Sequence, residues 1–273
     1  MSTPAPEAAA DGHFDELRAA DLGVRLAVSP AEIDAAQALR YAVFYDELGA
    51  IPDAAAARSR RDVDAFDAVA DHLVVLDHAG SGAPRVVATY RMIGQTAAAR
   101  AGRFYSAEEF DLGALLRFPG NVLEVGRSCV HPDYRGRQAM QLLWSGIAAY
   151  IARLRIDVLF GCASLHGTDP DALAAELTYL AANHLAPPDL RPVALPHRYV
   201  EMRRMDPAAL DPRRTLVRLP PLIKGYLRLG GFVGDGAVID AQFNTTDVAI
   251  VVRTDLVTER YLRHYERTAG SED

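Results

Sequence analysis

The sequence predicts an α/β fold, a single domain with a central mixed, bulged β-sheet flanked by helices. Three observations point to it. Apolar runs such as "HLVVLD", "RVVATYRMI", "VLEVGRSCV" and "VLFGCASL" are separated early by turn signals and later by helical periodicity, so hairpins give way to strand–helix–strand units. Gly126 interrupts an otherwise apolar strand, a signal of a bulge. No repeat, low-complexity linker or second-domain boundary divides the 273 residues.

Taken in order, residues 1–24 are small, polar and rich in proline and alanine, and are expected to be a disordered tail before a folded domain over 25–267. In "SPAEIDAAQALRYAVFYDEL", Ser29 and Glu32 have capping-box spacing and Pro30 takes the first helical position. Ile33, Ala36, Val43 and Phe44 share one stripe of this helix, and Arg40 lies on the same stripe. An inward-facing arginine needs a carboxylate or a ligand anion to meet it. "RRDVDAFDAVADHLVVLD" is an acidic loop entering a strand, "SGAP" a turn and "RVVATYRMI" the next strand. A helical or irregular insertion around "SAEEFDLGALLRFPGN" precedes "VLEVGRSCV". Then follow a helix from Gln138 to Arg155, the strand "VLFGCASL", and a helix in "TDPDALAAELTYLAANH" capped by Thr168 or Asp169. Strands are expected in "RYVEMRRM" and "GAVIDAQFNTTDVAIVVR", around a loop or short helix at "LPPLIKGYLRLGG", and a final short helix in "TERYLRHYERT".

Composition narrows the function. Hydrophobic residues make up 50% of the chain and charged ones 24%, the balance of a globular protein. A net charge of −7 argues against a general nucleic-acid binder. No apolar run approaches the roughly 18 residues of a membrane span, and "MSTPAPEAAADG" lacks the basic and apolar regions of a signal peptide. A cytoplasmic location is expected, with at most transient contact at the inner membrane surface. Cys129 and Cys162 are too few for a disulfide framework or a cysteine zinc site. No His/Asp/Glu grouping has convincing metal spacing, so no metal is expected, and no serine sits in a nucleophile elbow, so chemistry without a covalent enzyme intermediate is expected. No permanently bound cofactor is expected.

Strict alternation puts Glu124 and Arg127 on opposite faces of their strand; a bulge at Gly126 brings them to one side. Glu124 is then a carboxylate among apolar neighbours, where burial raises its pKa and suits it to act as a base. The alternative is a glutamate at the sheet surface paired with Arg127. In "RGRQAM", Arg135, Arg137 and the first free N–H groups of a helix can meet a phosphate, or the arginines can face solvent.

The order of strand, bulge, arginine-rich turn and helix resembles the acyl-donor site of the GNAT acyltransferase superfamily, whose R/Q-x-x-G-x-G/A loop cradles the coenzyme A pyrophosphate. Here the loop reads Arg135, Gly136, Arg137, Gln138, Ala139, Met140, with Gln138 and Met140 at the glycine-type positions. Side chains there hinder close backbone approach to a pyrophosphate. The chain is also similar to the acyl-homoserine-lactone synthases: "LRYAVFYDELG" supplies Arg40 and Phe44, "DVDAFD" Asp64 and Asp67, "ATYRMI" Arg91, and "LEVGRSCV" Glu124 and Arg127. Through "HPDYRGRQAMQLLWSGI", "LPHRYVEMRRM", "LPPLIKGYLRLGG" and "DAQFNTTDVAIVV" it most resembles the acyltransferases of ornithine lipid synthesis, over about residues 25 to 260.

That resemblance implies transfer of a 3-hydroxyacyl chain from the phosphopantetheine arm of acyl carrier protein to the α-amino group of an amino acid, ornithine first and glutamine next. The single phosphodiester of that arm suits a loop that keeps its arginines and loses its glycines. Glu124 is the expected base and Arg127 or Arg91 the partner of the acceptor carboxylate. Arg40, Phe44, Asp64 and Asp67 complete the acceptor side, and backbone N–H groups near Ser128, Cys129 and Val130 the oxyanion site. Arg135, Arg137, Arg153 and Arg155 are candidates for a basic rim that docks the acidic carrier. The rival readings are a homoserine-lactone synthase using S-adenosylmethionine and a non-catalytic carrier- or lipid-binding module.

Overall fold

In the computed structural model, which describes residues 12–257, strands begin earlier than the sequence suggests. Leu17–Ala19 (β1) and Leu22–Leu26 (β2) pair as a hairpin, so the expected tail over 1–24 does not hold from Gly12 onward. Phe14, Leu17 and Ala19 pack against the main core. Strands this short show no readable period, which hid them.

Pro30–Tyr41 (α1) starts as its sequence requires. Ser29 Oγ accepts the Glu32 N–H, and Pro30 sits in the first turn. The helix then widens into a π-helical turn, Ala42–Glu47, a distortion that often marks a functional site. Ala54–Ser59 (α2) leads through the acidic loop to Asp71–Asp77 (β3) and Arg85–Gly94 (β4). The insertion is largely ordered: Gln95–Ala101 (α3), a 3-10 turn at Tyr105–Glu108, Phe110–Asp111 (β5) and Gly113–Leu116 (α4). Asn121–Val130 (β6), Arg137–Leu154 (α5) and Ile156–His166 (β7) form a parallel strand–helix–strand unit.

Ala174–Asn183 (α6), Val193–Ala194 (β8), Pro212–Arg218 (α7), Pro221–Arg228 (α8), Phe232–Asp240 (β9) and Thr245–Arg253 (β10) follow. The strand expected in "RYVEMRRM" is a loop, tied to β9 by one bridge between Val200 and Ala237. Arg204 there turns away to Asp171 instead of continuing the alternation. The helix expected over 258–268 lies outside the described residues.

The strands join in the order β1-β2-β3-β4-β6-β7-β10-β9-β8-β5, antiparallel except at β6–β7 and β8–β9. Period-2 alternation sorts side chains to two layers. Leu73 and Val75 of β3 join the core under α5, while Val74 and Leu76 join the one under α1. A Cβ at Gly146 of α5 would stand 2.8 Å from Val24 and 2.9 Å from Leu73, so glycine there lets the helix lie close on the sheet.

Two irregularities in this sheet position the site. β6 pairs with β7 only from Asn121 to Glu124, whereas β7 continues along β10 to His166, so β6 and β7 diverge into a fork. Gly161 lies at the fork, where a Cβ would meet the Val125 carbonyl oxygen at 2.1 Å. Against β4, Thr89 pairs with Cys129 but Arg91 with Gly126, so β6 carries one extra residue. The expected bulge is present, displaced to Arg127, which adopts a left-handed φ of 50°.

Candidate active site

The fork opens a cavity of about 410 Å³ that passes through the sheet. Alternation along β7 shows this, because both Cys162 and Ala163 line it although they point to opposite faces. Toward α5 its walls are apolar, with Met140 and Leu222. Toward α1 they are polar, with Arg91, Glu124, Arg127 and Asp247, and Phe44 from the π-helical turn.

On the polar side, arginines and aspartates interlock. Arg40 is 1% exposed and grips Asp67 with two nitrogens at 2.9 and 2.8 Å, while its Nε stands 2.8 Å from Asp62. Arg91 Nη1 lies 2.6 Å from Asp64 and 3.4 Å from Asp67. Arg127 lies 3.1 Å from Asp62 and 3.4 Å from Asp64, and donates to Tyr105 Oη at 3.1 Å. Its guanidinium is 4.8 Å from the ring centroids of both Tyr105 and Phe243, so two faces and three acceptors fix its plane. The aspartates also cap their own turn: Asp64 accepts the Phe66 N–H and Asp67 the Asp64 N–H. Burial pushes Asp67 up, but the bonds and charge of Arg40 outweigh it and hold this carboxyl at about 2.

Of the acceptor-side residues expected from sequence, Phe44, Arg91, Glu124 and Arg127 reach the cavity. Arg40, Asp64 and Asp67 stand behind it as the layer that orients the arginines.

Glu124 is 2% exposed. It accepts the Tyr105 N–H at 2.7 Å, the Ser106 N–H at 2.6 Å and the Ser106 hydroxyl. Burial raises its pKa, opposed by these hydrogen bonds and by Arg91. Tyr105 therefore ties the two halves of the expected E-x-x-R together, by its backbone to Glu124 and by its hydroxyl to Arg127.

At the cavity mouth Gly136 caps α5 without a side-chain hydrogen bond, leaving the first N–H groups of an 18-residue helix turned toward the opening. Arg135 lines the mouth, with Nε on the Val130 carbonyl at 3.2 Å and its forked end on Glu47 at 2.5 and 2.6 Å. Met140 points into the cavity, whereas Gln138 turns away to the Ala19 carbonyl at 2.9 Å. The Arg137 side chain lies outside the described residues. Arg153 and Arg155 stand at the other end of α5, roughly 25 Å away at 1.5 Å per residue. The His131 N–H bonds the Val87 carbonyl on β4, so by alternation the Val130 N–H points the other way, into the fork.

Sequence reasoning missed Asp62, Tyr105, Ser106, Cys162, Glu109, Asp240 and Asp247. Asp62 was visible as part of an acidic loop; the others come from separate elements with no common spacing. Burial pushes the thiols up, Cys129 to about 12 and Cys162 well above its ordinary value, so neither is a nucleophile at neutral pH. In "LPPLIKGYLRLGG", Ile223 and Tyr226 pack in the core and Leu222 lines the cavity, so the segment serves its own domain. Among the described residues no helix is long and apolar enough to cross a membrane.

The sequence matches the family described as an acetyltransferase (GNAT) domain over residues 39–145. It is 48% identical to an L-ornithine N(alpha)-acyltransferase of Rhizobium meliloti (strain 1021), covering 93% of this chain and 87% of that one. It is 46% identical to an L-ornithine N(alpha)-acyltransferase of Brucella abortus (strain 2308), over 93% of this chain and 92% of that one. Among solved structures, an N-acyl amino acid synthase from uncultured soil microbes, FeeM, is 13% identical with a TM-score of 0.46, over 86% of this chain and 91% of that chain.

Proposed function

The chain belongs to the L-ornithine N(alpha)-acyltransferases and carries a GNAT acetyltransferase domain, and on that premise we propose that it moves a 3-hydroxyacyl chain from acyl carrier protein to the α-amino group of ornithine. The product is a lyso-aminolipid for membrane lipid synthesis, and the enzyme makes transient contact with the inner membrane surface.

The observation that carries this reading is the fork through the sheet, apolar and cationic on one side, carboxylate- and arginine-lined on the other. The acyl thioester enters from the side of α5. Its phosphodiester meets the open N-terminus of α5 and Arg135, and Met140 narrows the space beside Gly136, which suits one phosphate better than two. The acceptor enters from the side of α1, its carboxylate against Arg127.

Glu124 takes a proton from the α-ammonium, and the free amine attacks the thioester carbon. The oxyanion that forms lies toward the Val130 N–H. The attack makes the C–N bond. Collapse of the tetrahedral intermediate breaks the C–S bond and releases the pantetheine thiolate, which takes up the second proton from the nitrogen, while the first leaves Glu124 for solvent. No covalent enzyme intermediate is needed, in keeping with the suppressed reactivity of both thiols.

A mass-spectrometric competition tests it. Purified protein receives 3-hydroxyacyl carrier protein and an amino-acid mixture, in parallel with the matching coenzyme A thioester. N-acyl ornithine formed from the carrier alone is the expected result. Product from coenzyme A alone would overturn the donor assignment, and N-acyl glutamine as the main product the acceptor.

A further inference from the structure

A second group of charges lies on the β10 side of the cavity, where Asp240 and Asp247 line it and Glu109 stands beside them. Glu109 follows the 3-10 turn, Asp240 ends β9 and Asp247 lies within β10; one carboxylate oxygen from each falls within 4.8 Å of the others. Register brings them together. Asp247 pairs with Ser164 of β7, and Thr245 pairs with His166 and Asp240, so these side chains share the face that carries Cys162.

Two of the three carboxylates already have partners. Arg198 stands 3.4 Å from Glu109, and Asp240 accepts the N–H groups of Gln242 and Phe243 at 2.9 and 3.1 Å. Asp247 differs: it is 6% exposed, lines the cavity, and its Oδ1 has no hydrogen-bond partner among the described residues. The Thr245 hydroxyl beside it is equally buried and also lines the cavity; it makes no well-formed hydrogen bond, although it and Ser164 stand near enough to Asp247 to draw its pKa down. Burial pushes Glu109 up to about 7, reinforced by Asp247, and pushes Asp247 up to about 6 against the opposing contacts of Ser164 and Thr245. Buried acceptors left without donors are costly, and a ligand that brings donors relieves them.

We infer that Glu109, Asp240 and Asp247 form the pocket for the side-chain ammonium of the acceptor, with Asp247 Oδ1 and Thr245 Oγ1 accepting its hydrogen bonds. The inference rests on the acyltransferase reading above and adds how its acceptor is chosen. Cys162 Sγ lies 3.2 Å from Glu109 and 3.3 Å from Ser106 Oγ, which bonds Glu124. The acidic pocket and the proposed base thus flank one cysteine, an arrangement for a diamino acid with one nitrogen at each. A site built around a charged donor rejects an analogue that lacks it, because its own polar groups then stay unpaired.

The test compares kcat/KM for ornithine and norvaline, which has the same carbon chain without the distal ammonium, in the intact protein and in Asp247→Asn and Glu109→Gln, each with its unfolding midpoint. Ornithine is expected to win by about a hundredfold or more in the intact protein. The ratio is expected to fall about tenfold or more in each variant that folds, chiefly through the KM for ornithine. Equal use of norvaline by the intact protein, or an unchanged ratio in a folded variant, overturns the pocket and leaves the acyltransferase reading standing. Acylation of no amino acid at all brings down that reading and the pocket with it. Turnover abolished by EDTA and restored by Mg²⁺ or Ca²⁺ assigns the carboxylates to a metal ion and also overturns the inference; insensitivity to EDTA is expected. If neither variant folds, the ratio in the intact protein decides alone.

Discussion

Arg40 and Asp67 lie 27 residues apart in the chain and meet as a two-pronged ion pair behind the cavity, at 2.9 and 2.8 Å. Arg40→Ala takes the forked partner from buried Asp67 and one of two arginines from Asp62, leaving them to Arg91 and Arg127, at an expected cost of about 3 kcal/mol in urea unfolding. Arg40→Lys recovers only part of this, since an ammonium cannot span both oxygens as a planar fork does. Because Asp67 is held at about 2, below its ordinary 3.8, the stability it contributes is present above 3.8 and lost as pH falls toward 2.

Glu124→Gln is expected to lower kcat by roughly 10²–10⁴-fold, the range for loss of a positioned base. It also turns an NH₂ toward donors on Tyr105 or Ser106, which costs about 1–3 kcal/mol. Unfolding midpoints of both proteins separate the two effects. In the unmodified protein kcat/KM should rise with pH through a midpoint above the ordinary glutamate value of 4.5, because burial raises the Glu124 pKa.

Gly161→Ala places a methyl group against the Val125 carbonyl oxygen at the base of the fork. The neighbour is backbone and cannot rotate away, so β6 and β7 must part. About 1–3 kcal/mol of destabilisation is expected, with a fall in kcat that distinguishes this site from Gly146→Ala, which disturbs the α5 packing away from the cavity.

Arg135→Ala is expected to raise the KM for the carrier-bound donor about tenfold with a smaller change in kcat, through loss of a forked phosphate partner. Glu47→Ala should act in the opposite direction, since it frees Arg135 from the carboxylate that now occupies it. Steady-state kinetics with carrier concentration varied checks both.

Glu109 and Asp247 act on stability in the reverse sense to Asp67. Their folded values, about 7 and about 6, exceed the ordinary 4.5 and 3.8, so the folded protein holds protons that the unfolded chain releases. Unfolding free energy should therefore fall as pH rises from about 4 through 7. A tenfold difference in proton affinity between the folded and unfolded chain is worth about 1.4 kcal/mol, so the two shifts set an upper bound of roughly 6 kcal/mol, which is reduced because the neighbouring carboxylates titrate together. Urea melts at pH 5 and pH 8 measure it.

What the sequence disclosed follows from how each feature is encoded. β3, β4, β6, β7, β9 and β10 are long and apolar, and α1 announces itself through Ser29 and Pro30. The bulge in β6 was signalled by Gly126 but falls on Arg127, whose left-handed backbone is held by long-range contacts to Asp62, Asp64 and two rings. α6 starts at Ala174 rather than near Pro170, because Asp169 accepts the Asp171 N–H in a turn of its own. Phe44, Arg91, Glu124 and Arg127 could be singled out because each lies in a recognisable helix or strand whose other residues are mostly apolar. Tyr105 and Ser106 were not, because a polar 3-10 turn gives no hint that its N–H groups hold a glutamate on another strand. The acidic pocket was hidden for a related reason: its three carboxylates come from three elements that only the sheet register brings together.

β10 is an inner strand, with β7 on one side and β9 on the other, yet it follows every other described strand along the chain. A ribosome must therefore deliver residue 253 before the sheet can close around it. Until then β7 and β9 present open edges, the kind of surface that invites mispairing, and Thr245 and Asp247 are not yet in place. The growing chain thus exposes its aggregation-prone edges during the same interval in which its cavity lacks one wall, and a single late event, insertion of β10, ends both conditions at once.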